Sequence, residues 1–124
     1  IINVIDQEKY ELKKFQNKAL ILIGFAGGFR RSELVSIEYE NVDFVTEGVK
    51  ITVTKSKTDQ TGIGLTKAIP YFENKTYCPV TSLSKWIEYS NINKGKIFKV
   101  SDKTVALTIK KYASIAGLDS LKQT

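Results

Sequence analysis

Gly27-Gly28-Phe29-Arg30-Arg31-Ser32-Glu33-Leu34 follows directly on the run Ala19-Leu20-Ile21-Leu22-Ile23-Gly24-Phe25-Ala26. The run is apolar on every helical face, which predicts a central buried helix rather than an amphipathic one. A glycine pair has the backbone freedom to end that helix in a tight turn. Leu34 and Ile37, three positions apart, predict a second, short helix over about residues 30–37, with those two side chains inward and Glu33 and Glu38 more polar. The glycine turn thus delivers Arg30 at a helix start. Upstream, residues 6–18 read as a polar, charged helical stretch leading into the buried run.

Arg30 and Arg31 are the only arginines among 19 basic residues; every other one is a lysine. Arginine offers a planar fork that grips phosphate or carboxylate through two parallel hydrogen bonds, which lysine cannot do. Set against 13 acidic residues, the basic ones leave a net charge of +6, which suits a polyanionic partner. With 124 residues, 42% of them apolar, the chain fits one ordinary domain and is too apolar for a disordered one. The longest purely apolar run, residues 19–23, is far short of a membrane span. No basic region leads into an apolar stretch at the start, so no signal peptide is expected. The single cysteine, Cys78, cannot form an internal disulfide, and a cytoplasmic location follows as the expectation. With no histidine and one cysteine, a zinc site of nitrogen and sulfur ligands is nearly excluded, and a histidine-dependent triad is excluded outright.

Beyond residue 40 the texture changes. Val42-Asp43-Phe44 predicts a short strand, and Val49-Lys50-Ile51-Thr52-Val53-Thr54-Lys55 alternates with period two, as a half-buried strand does. Residues 56–65, with Lys57, Asp59, Gly62 and Gly64, read as a flexible polar connector. Lys67-Ala68-Ile69-Pro70-Tyr71 reads as the return strand, with Pro70 at its end or on an edge. The segment is a hairpin with a long lysine-bearing tip. Pro79 then opens a helix whose apolar stripe is Val80, Leu83, Trp86 and Ile87. Residues 91–96 read as a loop and Ile97-Phe98 as a short buried segment. Ser101 or Asp102 is expected to cap a last helix, with Val105, Ile109, Ala113 and Ala116 inward, Lys103, Lys110 and Lys111 outward, and Gly117 as its C-cap. No repeat or linker interrupts the chain. The expected fold class is α+β: helix-rich, with a small antiparallel sheet.

Three pieces line up: the Gly-Phe-Arg30-Arg-Ser-Glu-Leu box, the Ser56-Lys57-Thr58 hairpin before Ala68-Ile69-Pro70, and Cys78-Pro79-Val80 with Leu83 and Trp86-Ile87. In order, spacing and context they resemble the catalytic domain of the tyrosine recombinase (phage integrase) family over about residues 17–118. The resemblance implies a site-specific recombinase or integrase, carried by a phage or other mobile element. Such enzymes attack a phosphodiester of double-stranded DNA with a tyrosine, leave a 3′-phosphotyrosine and a free 5′-hydroxyl, use no metal or cofactor, and act as tetramers on DNA. Arg30 matches the family's first catalytic arginine, which faces the non-bridging phosphate oxygens, a task for fixed donors when no metal is present. Lys57 matches the hairpin lysine that protonates the leaving 5′-oxygen as general acid. Glu33, three residues after Arg30, can share its helix face and support it. Arg31 and Lys55 are expected to contact the DNA backbone.

The sequence also departs from that pattern. Asn41 stands where the family commonly has aspartate, and it can still cap or turn. No His-x-x-Arg box follows residue 116, and none of the six tyrosines (Tyr10, Tyr39, Tyr71, Tyr77, Tyr89, Tyr112) stands where the nucleophile should. The expectation is therefore a partial domain, the N-terminal two-thirds of a catalytic domain over residues 1–124, inactive alone and with an apolar face where further helices belong. Two other classes stay open: a non-catalytic DNA-binding or accessory protein on the recombinase scaffold, and an unrelated basic module such as an RNA binder. The last lacks the aromatic stacking signature of single-strand binders.

Overall fold

The computed structural model describes residue 2, residues 11–53 and residues 65–115. Helix α1 spans Glu11–Gly27 and helix α2 Arg31–Ser36. Strands β1 (Val42–Val45), β2 (Gly48–Val53) and β3 (Leu65–Pro70) form an antiparallel sheet in the order β1-β2-β3. Helices α3 (Pro79–Ser90) and α4 (Asp102–Ile115) complete an α+β fold. The expected Gly117 cap, Ala116 and the side chain of Ala113 lie outside the described residues, as do residues 6–10 of the charged stretch.

Helix α1 is the spine of the core. Ala19, Leu20, Ile21 and Ile23 are buried, and the helix packs most extensively against α3, whose Val80, Leu83 and Trp86 are buried in turn. At the outer end of this pair the rings of Phe15 and Tyr89 meet at 4.9 Å and 56°, a tilt the ring quadrupoles favour. The all-apolar run is not buried throughout, however. Phe25 is 71% exposed and Ala26 is exposed, because nothing described packs on the last turn of α1 from that side. Phe25 borders a groove between α1, α2 and α4 lined by Leu20, Leu34 and Val105.

The sheet follows the period-two reading. Val49, Ile51 and Val53 face the core while Lys50 is exposed, and across β3 the register sets Val49 opposite Ile69 and Ile51 opposite Lys67. Gly48 lies opposite Pro70, so close that a side chain there would run into the Ile69 carbonyl. Leu65, placed by sequence in the connector, is instead the first residue of β3, because it pairs with Val53. Thr52 and Thr66 bridge the same two strands through their hydroxyls at 2.9 Å. Tyr71 lies just beyond β3, where its N–H donates to the Glu47 carbonyl at 3.1 Å.

Helix α3 begins with Pro79 at its first position and closes on Asn91, whose φ of 58° is the left-handed conformation that asparagine tolerates at a C-cap. Burial pushes the Cys78 thiol up, but hydrogen bonds from the Thr81 side chain and from the N–H groups of Phe72, Thr81 and Val80 outweigh it and leave the thiol below its ordinary value. After α3, Ile97 and Phe98 are fully buried as expected. The Trp86 indole N–H donates to the Ile97 carbonyl at 3.0 Å inside the core. Ile97 N–H donates to Ile37 at 3.1 Å, Tyr39 N–H to Gly95 at 2.8 Å, and Gly95 N–H to the Glu40 carboxylate. These bonds stitch the exit of α3 to the exit of α2. The turn between α2 and β1 also includes Asn41, whose N–H donates to Glu38. Ser101 is the cap of α4, its hydroxyl accepting from Thr104 N–H at 3.1 Å, and Asp102 is the first helical residue. Val105 is buried and Ile109 half-buried, while Lys103, Lys110 and Lys111 are exposed.

The Trp86 bond gives a direct test of this stitching. Trp86→Phe keeps an aromatic ring but leaves a buried carbonyl unpaired, which costs about 1–3 kcal/mol. Urea denaturation followed by far-ultraviolet circular dichroism reads that loss without relying on the chain's single tryptophan. An unchanged midpoint would contradict the assignment.

Candidate active site

The candidate site is built at the junction of α1, α2 and β3. Helix α1 stops at Gly27, and Gly28 takes a φ of +62°, a conformation that favours glycine. The chain then folds back on itself. Gly28 N–H donates to Phe25 at 3.3 Å and Phe29 N–H to Gly24 at 3.1 Å. The Phe29 ring occupies the space that a side chain on Gly27 would need, so both glycines are required, one for conformation and one for room.

Arg30 is the N-cap of α2, with extended backbone, rather than its first helical residue. A guanidinium has no acceptor, so Arg30 cannot cap the helix with its own side chain. Glu33 supplies the other half of the arrangement: its Oε1 accepts from Arg30 N–H at 2.7 Å. The support that Glu33 gives is therefore exerted on the Arg30 main chain. The sequence expectation of a shared helix face is corrected on this point, since Arg30 precedes the helix. Among the described residues the Arg30 guanidinium makes no hydrogen bond or ion pair, and the side chain is exposed. Arg31 is exposed too and lines the groove between α1, α2 and α4.

Lys55 and Lys57 belong to residues 54–64, outside the described residues. The two ends of that connection are nevertheless fixed, because Val53 and Leu65 pair directly. Two residues into β3 stands Lys67, which sequence reasoning did not single out. Its Nζ donates to the Gly28 carbonyl at 3.0 Å and lies 4.6 Å from the centre of the Phe29 ring. Lys67 thus ties the turn that presents Arg30 to the strand on which residues 54–64 return. The available signal was parity: Lys67 shares a face of β3 with the buried Ile69, and a lysine on an inward face needs an acceptor.

The arrangement can do one kind of chemistry plainly. An exposed guanidinium, fixed through its backbone beside a second exposed arginine, is a site for an anion with paired oxygens. The Glu33 carboxylate, the acidic group closest in the motif, is engaged by Arg30 N–H. No helix among the described residues is long and apolar enough to cross a membrane.

No protein-family model matches the chain. The chain is 44% identical, over 131 aligned positions, to a protein of Selenomonas ruminantium named "Integrase/recombinase xerD homolog", and the match takes in 96% of this chain. The chain spans 38% of the length of that relative. Identity of this order along nearly the whole chain, together with the α+β fold, places it by descent: the chain belongs to the tyrosine recombinase family.

Proposed function

We propose that this chain forms the part of a recombinase catalytic domain that grips the scissile phosphate, and that the whole protein cuts and rejoins double-stranded DNA at specific sites. The observation that carries this reading is the exposed Arg30 guanidinium, held through its main chain by Glu33 and tied by its turn to the strand emerging from the Lys57 connection. The relative named as an integrase/recombinase supports the same reading. The chain is then the N-terminal two-thirds of the catalytic domain, working in the cytoplasm on DNA of a phage or other mobile element. Tetramers on DNA are the expected assembly.

In this reading Arg30 places its fork on the non-bridging oxygens and meets the charge that grows there in the transition state. A tyrosine oxygen, its phenolic proton released to solvent, forms a bond to phosphorus as the bond to the 5′-oxygen breaks. Lys57 delivers its proton to that leaving oxygen, a contribution of roughly 10²–10⁴ in rate. Glu33 keeps the Arg30 backbone in place, and Arg31 and Lys55 contact flanking phosphates. Neither this proton transfer nor the phosphate grip needs a metal or cofactor. None of the six tyrosines of this chain is assigned as the nucleophile in this reading.

Two outcomes test the proposal. Incubated with a nicked suicide substrate, the chain alone forms no covalent DNA adduct; a denaturation-resistant adduct would overturn the assignment of the nucleophile. In anisotropy titrations at low salt the chain binds duplex DNA without sequence preference. Arg30→Ala and Lys57→Ala each reduce the slope of log K against log salt by about 0.9, the loss of one phosphate contact. Absence of binding, or slopes untouched by both substitutions, would contradict the DNA-facing site and leave the family scaffold without a nucleic-acid role in this chain.

A further inference from the structure

We propose that Lys67 is a positioning residue for Arg30, and that it acts by stapling the Gly28-Phe29 turn to β3; the inference rests on the reading of Arg30 as a phosphate ligand.

The turn needs such a staple. Helix α2 has six residues, too few to hold its own start in water without tertiary support. Its N-cap position carries an arginine, which cannot accept the hydrogen bonds that serine or aspartate would take there. Two contacts with more distant groups compensate. Glu33 holds Arg30 N–H from the helix side at 2.7 Å. Lys67 holds the Gly28 carbonyl from the sheet side at 3.0 Å, across 39 residues of sequence. The same ammonium lies over the Phe29 ring at 4.6 Å, so the residue just before Arg30 is also fixed. A charged donor on a carbonyl is among the stronger hydrogen bonds, and here it joins two elements that share no other such link among the described residues.

Lys67 is itself well placed to act as a fixed point. It sits opposite the fully buried Ile51 and shares its strand face with the buried Ile69. Its main chain therefore moves only if the sheet moves. Leu65, two residues earlier, closes the 54–64 connection against Val53. The staple consequently sets the Arg30 turn in register with the base of the hairpin that carries Lys57. The ammonium gives one of its three donors to the Gly28 carbonyl, so the staple and a direct phosphate contact are told apart by experiment.

A double-mutant cycle on the chain, read as DNA affinity by anisotropy at low salt, separates these roles. Lys67→Met is expected to weaken binding in the wild-type background and to change nothing once Arg30 is alanine, because its effect passes through Arg30. Lys67→Arg is expected to restore binding, since a guanidinium can reach the Gly28 carbonyl and stack on Phe29. In Lys67→Met the Phe29 amide, bonded to Gly24, is expected to exchange faster with solvent, and far-ultraviolet circular dichroism confirms that the fold is kept. Should that variant fail to fold, Phe29→Leu removes the ring under the ammonium while keeping an apolar side chain beside Gly27, and is expected to weaken binding in the wild-type background only. An equal loss in both backgrounds, with a further fall of about 0.9 in the salt slope, would make Lys67 a phosphate contact and overturn the proposal. Full binding by Lys67→Met would overturn it as well. Loss with Arg30→Ala but none with Lys67→Met sinks the positioning role alone, whereas no loss with Arg30→Ala sinks the reading of the site beneath it.

Discussion

The ammonium of Lys67 on the Gly28 carbonyl adds one directed hydrogen bond between a turn and a sheet that already share an apolar core. On one side is the α1–α2 turn, a local structure that depends on two glycines and a folded-back phenylalanine ring. On the other is a three-stranded sheet whose order and register are set by its apolar face. The α1–α3 core provides the stability of the fold through buried area. It does not by itself say where the turn must point. The 3.0 Å contact does, and Arg30 follows two residues later. Function in this account depends on a main-chain path being fixed from both sides, by Glu33 and by Lys67, so that an exposed side chain has a defined origin.

The division between fixed backbone and free side chain has a chemical logic. An arginine engaged by a carboxylate would have to be released before it could meet a phosphate. Here the Glu33 carboxylate is engaged by Arg30 N–H, and the guanidinium stays uncommitted among the described residues. The negative charge beside the site is thus used to build the turn rather than to neutralise it. This arrangement also explains how an arginine can occupy an N-cap position that physical preference gives to short oxygen-bearing side chains.

Much of this was legible in the sequence where local pattern decides the outcome. The alternation in Val49-Lys50-Ile51 and the spacing of Leu34 and Ile37 specify faces, and those faces are the buried ones. The Gly27-Gly28 stop and the placement of Arg30 after it were readable for the same reason. Phe25 was not, since an all-apolar helix has no periodicity to reveal which side lacks a neighbour. The start of β3 was misread because pairing with Val53, not the glycine-rich texture before it, determines where the strand begins. Glu33 was recognised as a support residue from its spacing, yet spacing cannot distinguish the Arg30 side chain from its N–H. Lys67 left only a parity signal, because its partner lies 39 residues away and is a backbone carbonyl.

The central claim is that Arg30, rather than basic charge in general, is where the chain meets a DNA phosphate. With only two arginines present, a titration of nitrogen-15-labelled chain with a short duplex shows two Nε resonances, separable by Arg31→Lys. The Arg30 Nε–Hε signal is expected to shift most and to become protected from solvent exchange as duplex is added. A stationary Arg30 signal, with binding registered only at surface lysines, would contradict it.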